Sequence, residues 1–215
     1  EGLDGEIVIT AVADEEYESL GTRALVATGL RADAAIVTEP TRLAINPAHR
    51  GFVWVELDFR GRAAHGSRYD LGVDAIRHAG LVIAALDQLQ RDVLDHRTHP
   101  LLGHASLHLA TIEGGSGWST YPDRCTLRVE RRTLPGESTD QVLQEFAAAC
   151  ERVAAIDDAL DVQLRHVLTQ GPSDVPGHAP IVRALGAAMH AEGETIRHEG
   201  MSAWTDAALL NDAGI

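Results

Sequence analysis

Two short apolar runs near the amino terminus predict a strand, helix and strand in succession. The run Ile7–Ala13 is almost continuously apolar and rich in β-branched residues, which is typical of a strand buried on both faces of a parallel sheet. A helix is expected from Leu20 to Thr28, and a second strand over 34–38. This order indicates a βαβ unit, whose parallel strands end at the same edge of the sheet.

The pattern changes at about His49, where apolar and polar residues begin to alternate as in a strand buried on one face. The elements predicted from there are a first strand, a helix over 73–94, strands over 105–112 and 125–132, a helix beginning at Ser138 and a strand over 160–168. This order is βαββαβ. A Gly/Pro-rich segment after Thr169 then predicts a linker, with further helices beyond Pro180 and over 206–213.

These changes of pattern divide the chain into three parts. Residues 1–48 are the first part of one domain, residues 49–168 are an inserted domain, and residues 169–215 return to the first domain. An inserted unit of this kind places residues that are distant in sequence within one domain.

Composition limits the classes of partner. The chain has 215 residues, 45% of them hydrophobic, which is enough for a substantial core. A net charge of -14 and a pI near 5.1 disfavour duplex nucleic acid and anionic membranes, and favour a small-molecule substrate. The sequence has no apolar run of about 20 residues and no basic segment followed by an apolar one at its start. The expected location is the cytoplasm.

The two cysteines are expected to act as small hydrophobic residues. Cys125 and Cys150 lie on the apolar faces of a predicted strand and a predicted helix. Two cysteines do not form a disulfide framework, although a bond between them stays open at this stage.

Carboxylates follow both predicted parallel strands. Asp14, Glu15 and Glu16 come directly after the first strand, and Glu39 follows the second. Side chains of this kind at one sheet edge repel one another, and a divalent cation would remove that repulsion. The alternative is that Asp14 caps the next helix and the glutamates lie at its positive end. On these residues alone, the capping interpretation is favoured.

Five segments, in order along the chain, favour the cation site over the capping interpretation. They are ADEEYESLGTRAL, TEPT, FRGRAAHGSRYDLGVDAI, IEGGSGWSTYPDRCTLRVERRTLPGES and TDAALLNDAGI. Together they resemble the signatures of the zinc-dependent acetylornithine deacetylase, succinyl-diaminopimelate desuccinylase and carboxypeptidase family over essentially the whole chain. The resemblance implies an α/β fold: part of a parallel-sheet, zinc-peptidase-like catalytic domain with an inserted βαββαβ, ferredoxin-like dimerisation domain.

The resemblance also implies an activity and its cofactor. The activity is hydrolysis of an amide bond in an N-acyl amino acid or small dipeptide by a homodimer that carries two zinc ions per subunit, with Co or Mn as alternatives. Glu15 matches the general base, Glu16 matches a ligand to one zinc, and Glu39 matches a ligand to the other.

Two further residues take roles from the same resemblance. His65 matches a histidine that reaches across the dimer and stabilises the oxyanion in the neighbouring subunit. Arg132 matches an arginine that binds a substrate carboxylate. The alternative for Arg132 is an ordinary ion pair with Glu130 or Asp123. If the strand register differs by one residue, Arg131 takes its place.

The chain departs from the family at the metal ligands. The family has five, and only two are matched here; the others are expected upstream of Glu1 and beyond Ile215. The 215-residue chain is therefore expected to be an inactive fragment of the enzyme.

Substrate contacts differ as well. Ser119 stands where relatives carry a carbonyl-binding asparagine, and Thr205 joins it in the expected substrate-binding group. Trp204 stands where relatives usually have glycine, which predicts a narrower or more apolar pocket.

The βαββαβ order also occurs in two other classes of protein. A non-catalytic dimerisation or binding module is the main alternative, because a βαββαβ domain can stand alone. An RNA-recognition domain shares that element order, but the third strand, TLRVERR, lacks stacking aromatics and the chain is acidic.

Overall fold

The computed structural model describes residues 5–215, which form two compact units. The first unit contains the described residues through Ile45, with Pro176–Arg197 and Thr205–Ile215; the second contains Asn46–Val175 and His198–Trp204. Each unit is therefore assembled from segments that are separated in sequence.

The elements are, in chain order, α1 (Leu20–Ala27), β1 (Ile45–His49), β2 (Gly51–Arg60), α2 (Ala75–Asp92), a 3-10 turn (Leu94–His96), β3 (Thr98–His99), β4 (Gly103–His104), β5 (Ser106–Gly114), β6 (Arg124–Thr133), α3 (Thr139–Ala154), β7 (Asp161–Gln170), β8 (Ser173–Asp174), α4 (Pro180–Ala191), β9 (His198–Met201) and α5 (Ala207–Asp212). None of the helices within residues 5–215 has the length and apolar character needed to cross a bilayer.

The second unit is built around a four-stranded antiparallel sheet. Its strand order is β5-β6-β2-β7, and β1 lies between β8 and β9 in a smaller sheet. The connections β2-α2-β5 and β6-α3-β7 give the βαββαβ order of a ferredoxin-like domain. The predicted α/β class and the predicted βαββαβ element order are confirmed.

Alternation along the strands determines which sheet face packs on the helices. Alternate β2 residues are buried against α2 and α3, and they are Val53, Val55, Leu57 and Phe59. The intervening residues form what we call the polar face, which is the sheet face away from α2 and α3. The second helix begins as predicted, because Ser138 Oγ accepts a hydrogen bond from the Gln141 N–H at 3.2 Å.

Both cysteines lie in the core of this unit. Cys125 and Cys150 are free and buried. Burial raises the pKa of the Cys125 thiol, and it raises the pKa of the Cys150 thiol to about 11. The predicted packing role is confirmed, because a thiol with a raised pKa is a poor nucleophile.

The first unit contains α1, α4 and α5 together with extended segments. The strands predicted over Ile7–Ala13 and 34–38 are not formed. Ile9 is 91% exposed and Ile36 is 57% exposed. A strand exists only where a neighbour accepts its ladder hydrogen bonds, and no strand within residues 5–215 pairs with either segment. Both segments are apolar, but the prediction that they are strands is wrong for this structure.

Candidate active site

The turn that follows the first extended segment holds Asp14 in a capping role. Asp14 Oδ2 accepts hydrogen bonds from the N–H groups of Glu18 at 3.2 Å and Leu20 at 3.3 Å. The capping interpretation of the acidic run is therefore right for Asp14. Glu15 and Glu16 lie in the same turn and are the two carboxylates of the run that remain as candidate catalytic groups.

A glycine fixes this turn against α1. The N–H of Gly21 donates to Ala13 O at 3.0 Å, and a Cβ on Gly21 would lie 2.4 Å from Ala13 N. Backbone atoms cannot yield to such a contact without moving the segment that precedes Asp14. Gly21 therefore permits the close approach that sets the position of Glu15 and Glu16.

We expect the Gly21→Ala variant to lose about 1–3 kcal/mol of unfolding free energy, as overpacked sites do. The matched control is Gly186→Ala in α4, where a Cβ would meet its nearest neighbour at 3.7 Å. That change should be neutral or stabilising by up to about 1 kcal/mol, because alanine is the better helix former. Urea unfolding of both variants measures the difference. Equal stability of the two would contradict the steric role of Gly21.

The three glutamates and one aspartate lie near one another in the first unit. Burial raises the pKa of the Glu15 carboxyl above its ordinary value, and the charge of Glu39 raises it further. Asp206 and Glu16 add to that shift. Burial also raises the pKa of Glu39, with further contributions from the charges of Glu16 and Asp206. The structure thus brings Glu39 close to Glu15 and Glu16, which lie well before it in the sequence.

Asp206 is a member of this group that the sequence did not single out. It is only 3% exposed, and its Oδ2 accepts a hydrogen bond from Thr22 Oγ1 at 2.5 Å. Its Oδ1 is buried without a hydrogen-bond partner among the described residues. The neighbouring Thr205 is buried, and its Oγ1 accepts from the Ala207 N–H at 3.3 Å. Asp206 lies within the segment TDAALLNDAGI, but only its burial distinguishes it from other aspartates.

The carboxylates fit a divalent cation as part of a ligand set. Burial is the largest cause of the raised pKa values of Glu15 and Glu39, and the repulsion of the neighbouring carboxylates adds to it. A bound cation would remove that repulsion. Carboxylate oxygens are suitable ligands for zinc. Within residues 5–215, no group of three or more His, Cys, Asp or Glu side chains is arranged to hold a metal ion. The described residues therefore offer a partial ligand set.

Two loops of the second unit bring His65 and Ser119 together. His65 forms an isolated β-bridge with Thr120, and Ser119 O accepts a hydrogen bond from the Gly66 N–H at 2.7 Å. His65 is exposed, and its Nδ1 accepts from the Ser67 N–H at 3.2 Å. Because Nδ1 is an acceptor, the neutral ring carries its proton on Nε2. Nε2 is thus the donor atom.

Strand register assigns the two arginines to opposite faces of the sheet. Arg131 faces the helices and is fully buried, whereas Arg132 is 29% exposed on the polar face. Arg132 Nε donates to Glu130 Oε1 at 2.6 Å, so one of the two ion pairs suggested by the sequence is present. The substrate role of Arg132 stays a prediction.

Trp204 packs against other side chains of the second unit. Its side chain is buried, its Nε1 donates to Gly171 O at 2.8 Å, and its ring meets those of His49 and Phe52 edge-on. The expectation of a narrower or more apolar pocket stays a prediction.

Comparisons with known proteins agree with this architecture. The family model described as "Peptidase dimerisation domain" (M20_dimer) matches residues 47–158. The acetylornithine deacetylase of Myxococcus xanthus is 31% identical over 219 residues, which cover 100% of this chain and 56% of that protein. The acetylornithine deacetylase of Edwardsiella ictaluri is 29% identical over 201 residues, covering 91% and 52% respectively.

Solved structures show the same fold. Aminopeptidase PepT from Bacillus cereus has a TM-score of 0.74 at 21% identity, over 94% of this chain and 52% of that chain. A tripeptidase from Staphylococcus aureus has a TM-score of 0.70 at 18% identity, over 91% and 50%. The chain spans about half the length of the curated relatives that it matches. Since the family model covers more than half of the residues, the chain belongs to the M20 peptidase dimerisation-domain family.

Proposed function

We propose that the intact protein is a cytoplasmic, zinc-dependent hydrolase that cleaves the amide bond of an N-acyl amino acid or small dipeptide. The observation that carries the proposal is the grouping of Glu15, Glu16 and Glu39 with the buried Asp206 in the first unit. Family membership and the acetylornithine deacetylases among the relatives support it.

The carboxylates have two different proposed roles, metal binding and proton transfer. Glu16 and Glu39 would each hold one metal ion, and zinc, when bound, would supply polarisation of the scissile carbonyl and acidification of a water molecule. Glu15 accepts the proton of the attacking water and passes it to the leaving amine. A glutamate outside the ligand set is suited to this task because its carboxylate stays available for proton transfer.

The second unit supplies the remaining proposed contacts. The Nε2–H of His65 donates to the oxyanion formed in the neighbouring subunit. Ser119 lies beside His65 and is proposed to contact the substrate, together with Thr205. Arg132 binds the substrate carboxylate.

Assays of the intact protein test this function. Acetylornithine, succinyl-diaminopimelate and simple dipeptides are the substrates, and metal analysis accompanies the rates. Turnover of at least one substrate with about two zinc ions per subunit is the expected result, and the 215-residue chain alone should give none. Absence of both turnover and metal in the intact protein would favour the non-catalytic module. Exchange with Co or Mn identifies the preferred metal.

We also propose that the second unit mediates a homodimer. Among the described residues, no strand pairs with the outer edge of β5. Beside this edge lies an apolar cavity of about 370 Å³ between α2 and β5, lined by residues that include Ile83, Ala84, Leu107 and Leu109. Leu109 is 41% exposed. An unpaired edge strand beside apolar surface is suited to pairing with a second copy.

The Leu109→Lys variant should weaken the dimer, raising its Kd by about tenfold or more, because a lysine on an edge strand opposes pairing. Val167→Lys on β7 is the matched control, since Val167 is 42% exposed on the opposite edge strand of the sheet. Sedimentation velocity over a concentration series gives both dissociation constants. A dimer disrupted only by the Val167 change would place the interface at the other edge.

A further inference from the structure

Trp118 is a fully exposed tryptophan in the loop after β5. The chain has three tryptophans, and the Nε1 groups of Trp54 and Trp204 each donate a hydrogen bond within the second unit. The Trp118 side chain is 107% exposed, so no other residue within 5–215 covers it. Tryptophan rings carry a large apolar surface that is usually buried in a core or an interface. This indole is therefore available to a ligand or to another chain.

The loop that carries Trp118 is rich in glycine and has a packed base and an open tip. A Cβ on Gly115 would lie 3.2 Å from Ile76 Cδ1, so the base of the loop rests on the first turn of α2. A Cβ on Gly117 would meet nothing within 4 Å. The loop therefore holds Trp118 away from the core and in solvent.

Two backbone contacts place Trp118 beside His65. His65 forms a β-bridge with Thr120. The Gly66 N–H donates to Ser119 O at 2.7 Å. Trp118 directly precedes this pairing, and its Cα lies about 3.8 Å from that of Ser119, the spacing across a trans peptide. The indole and the imidazole are thus carried by one pair of adjoining loops.

Close packing supports these loops. A Cβ on Gly72 would lie 2.4 Å from Tyr121 Cγ, and a Cβ on Gly61 would lie 2.2 Å from a backbone oxygen. Both contacts are possible only because glycine has no side chain. The backbone that carries His65 and Trp118 is therefore held in place, so both side chains can contact one ligand.

The proposed role of His65 decides which part of a substrate meets Trp118. The oxyanion forms on the carbonyl carbon of the acyl group, so the acyl chain begins at the group that His65 contacts. Because His65 Nε2 must stay accessible to this oxyanion, the surface beside it cannot be closed by protein. An apolar ring at this place favours an apolar acyl chain, since removal of apolar surface from water is favourable.

We propose that Trp118 is a specificity-determining residue whose indole contacts an apolar acyl chain, longer than acetyl, of the substrate bound in the neighbouring subunit. The identity of the ligand rests on the proposed function, in which His65 acts in that subunit. The exposure of the indole and its place beside His65 do not depend on that function.

In the intact protein, kcat/KM should rise with the length of the acyl chain. In the series N-acetyl-, N-butyryl- and N-hexanoylornithine, butyryl should exceed acetyl at least about fivefold, because each buried CH₂ contributes about a factor of four. Trp118→Ala should bring the three values within about twofold of one another, and Trp118→Phe should keep part of the preference. The matched control is Ile156→Ala, which removes another apolar side chain that is 85% exposed, and it should keep the wild-type preference.

Binding gives a second readout that does not depend on turnover. In a titration of N-hexanoylornithine into a Glu15→Gln variant, the tryptophan fluorescence should shift to the blue as the Trp118 indole leaves water. Loss of this shift when Trp118→Phe is added assigns the signal to Trp118. N-acetylornithine should bind at least about tenfold more weakly than N-hexanoylornithine, because it buries fewer CH₂ groups.

An acyl preference that is unchanged in Trp118→Ala, or a fluorescence signal that does not respond to N-hexanoylornithine, would overturn the role of Trp118. A weaker dimer in Trp118→Ala, with an unchanged acyl preference, would assign the indole to the subunit interface instead. Turnover without any dependence on chain length would keep the proposed function and remove the role of Trp118. Chain-length-dependent binding with a blue shift, in a protein that hydrolyses no amide, would do the reverse.

Discussion

Replacing Glu15 with glutamine in the intact protein should lower kcat about 10²–10⁴-fold, the range for loss of a general base, while the metal content stays unchanged. Glutamine keeps the size and shape of the side chain, but its amide cannot accept the proton of the attacking water. Metal content is expected to persist because the proposed ligands are Glu16 and Glu39. Initial rates with acetylornithine and metal analysis of the purified variant check both parts.

A control variant in the same turn shows whether the lower kcat comes from loss of the proton acceptor or only from loss of a negative charge. Glu18→Gln removes one negative charge close to Glu15, and the Glu18 N–H still donates to Asp14. Its turnover should match that of the wild type. Comparable turnover in Glu15→Gln would exclude the proposed base, whereas loss of metal from that variant would make Glu15 a ligand.

The Glu137→Gln variant should lose about 3–5 kcal/mol of unfolding free energy, the cost of leaving a buried charge without its partner. Arg131 is fully buried and donates to Glu137 Oε1, which also accepts from Arg97 at 3.0 Å. Glu137 Oε2 accepts from the Leu134 N–H at 2.7 Å. After the change, Arg131 retains only the more distant Glu145 carboxylate, at 3.4 Å.

The effect should depend on pH in a defined direction. Burial opposes ionisation of Glu137, but hydrogen bonding and the charge of Arg131 outweigh it, so the pKa is lowered from its ordinary value of 4.5. A lowered folded-state pKa stabilises the fold above the unfolded-state value, and that stabilisation is lost as the pH falls through the folded-state value. The difference between wild type and variant should therefore shrink below about pH 4.5.

Urea unfolding across pH measures this dependence. Glu113→Gln is the control, because Glu113 is 69% exposed and its pairing with Arg128 at 3.4 Å is a surface contact. Such a pair contributes little, so the free energy should barely change. A difference between Glu137→Gln and wild type that stays constant down to acid pH would show that its ionisation does not stabilise the fold.

The second unit could be predicted from sequence because its elements depend on local signals. Alternation along β2 shows which residues are buried, and Ser138 with Gln141 marks the start of α3. The extended segment Ile7–Ala13 differs. Its apolar run carries a strand pattern, but a parallel strand depends on a neighbour, which a local pattern cannot supply.

Local sequence motifs likewise predict only some of the candidate site residues. Glu15, Glu16 and Glu39 could be identified by motif, whereas Asp206 is distinguished only by its burial and by a carboxylate oxygen without a hydrogen-bond partner among the described residues, and both features exist only in three dimensions. The contact between Gly66 and Ser119 joins two loops that are far apart in sequence, and no spacing rule predicts it.

Because each unit is assembled from separate segments of the chain, its parts become available at different times during translation. By Gln170, the ribosome has delivered every strand of the four-stranded sheet, so this sheet can form while the chain is still growing. The hydrogen bond from Thr22 to Asp206 must wait until Asp206 has emerged, 36 residues after Gln170. The carboxylate group is therefore completed only after the sheet can form, and any cation that this group holds would be acquired later than that.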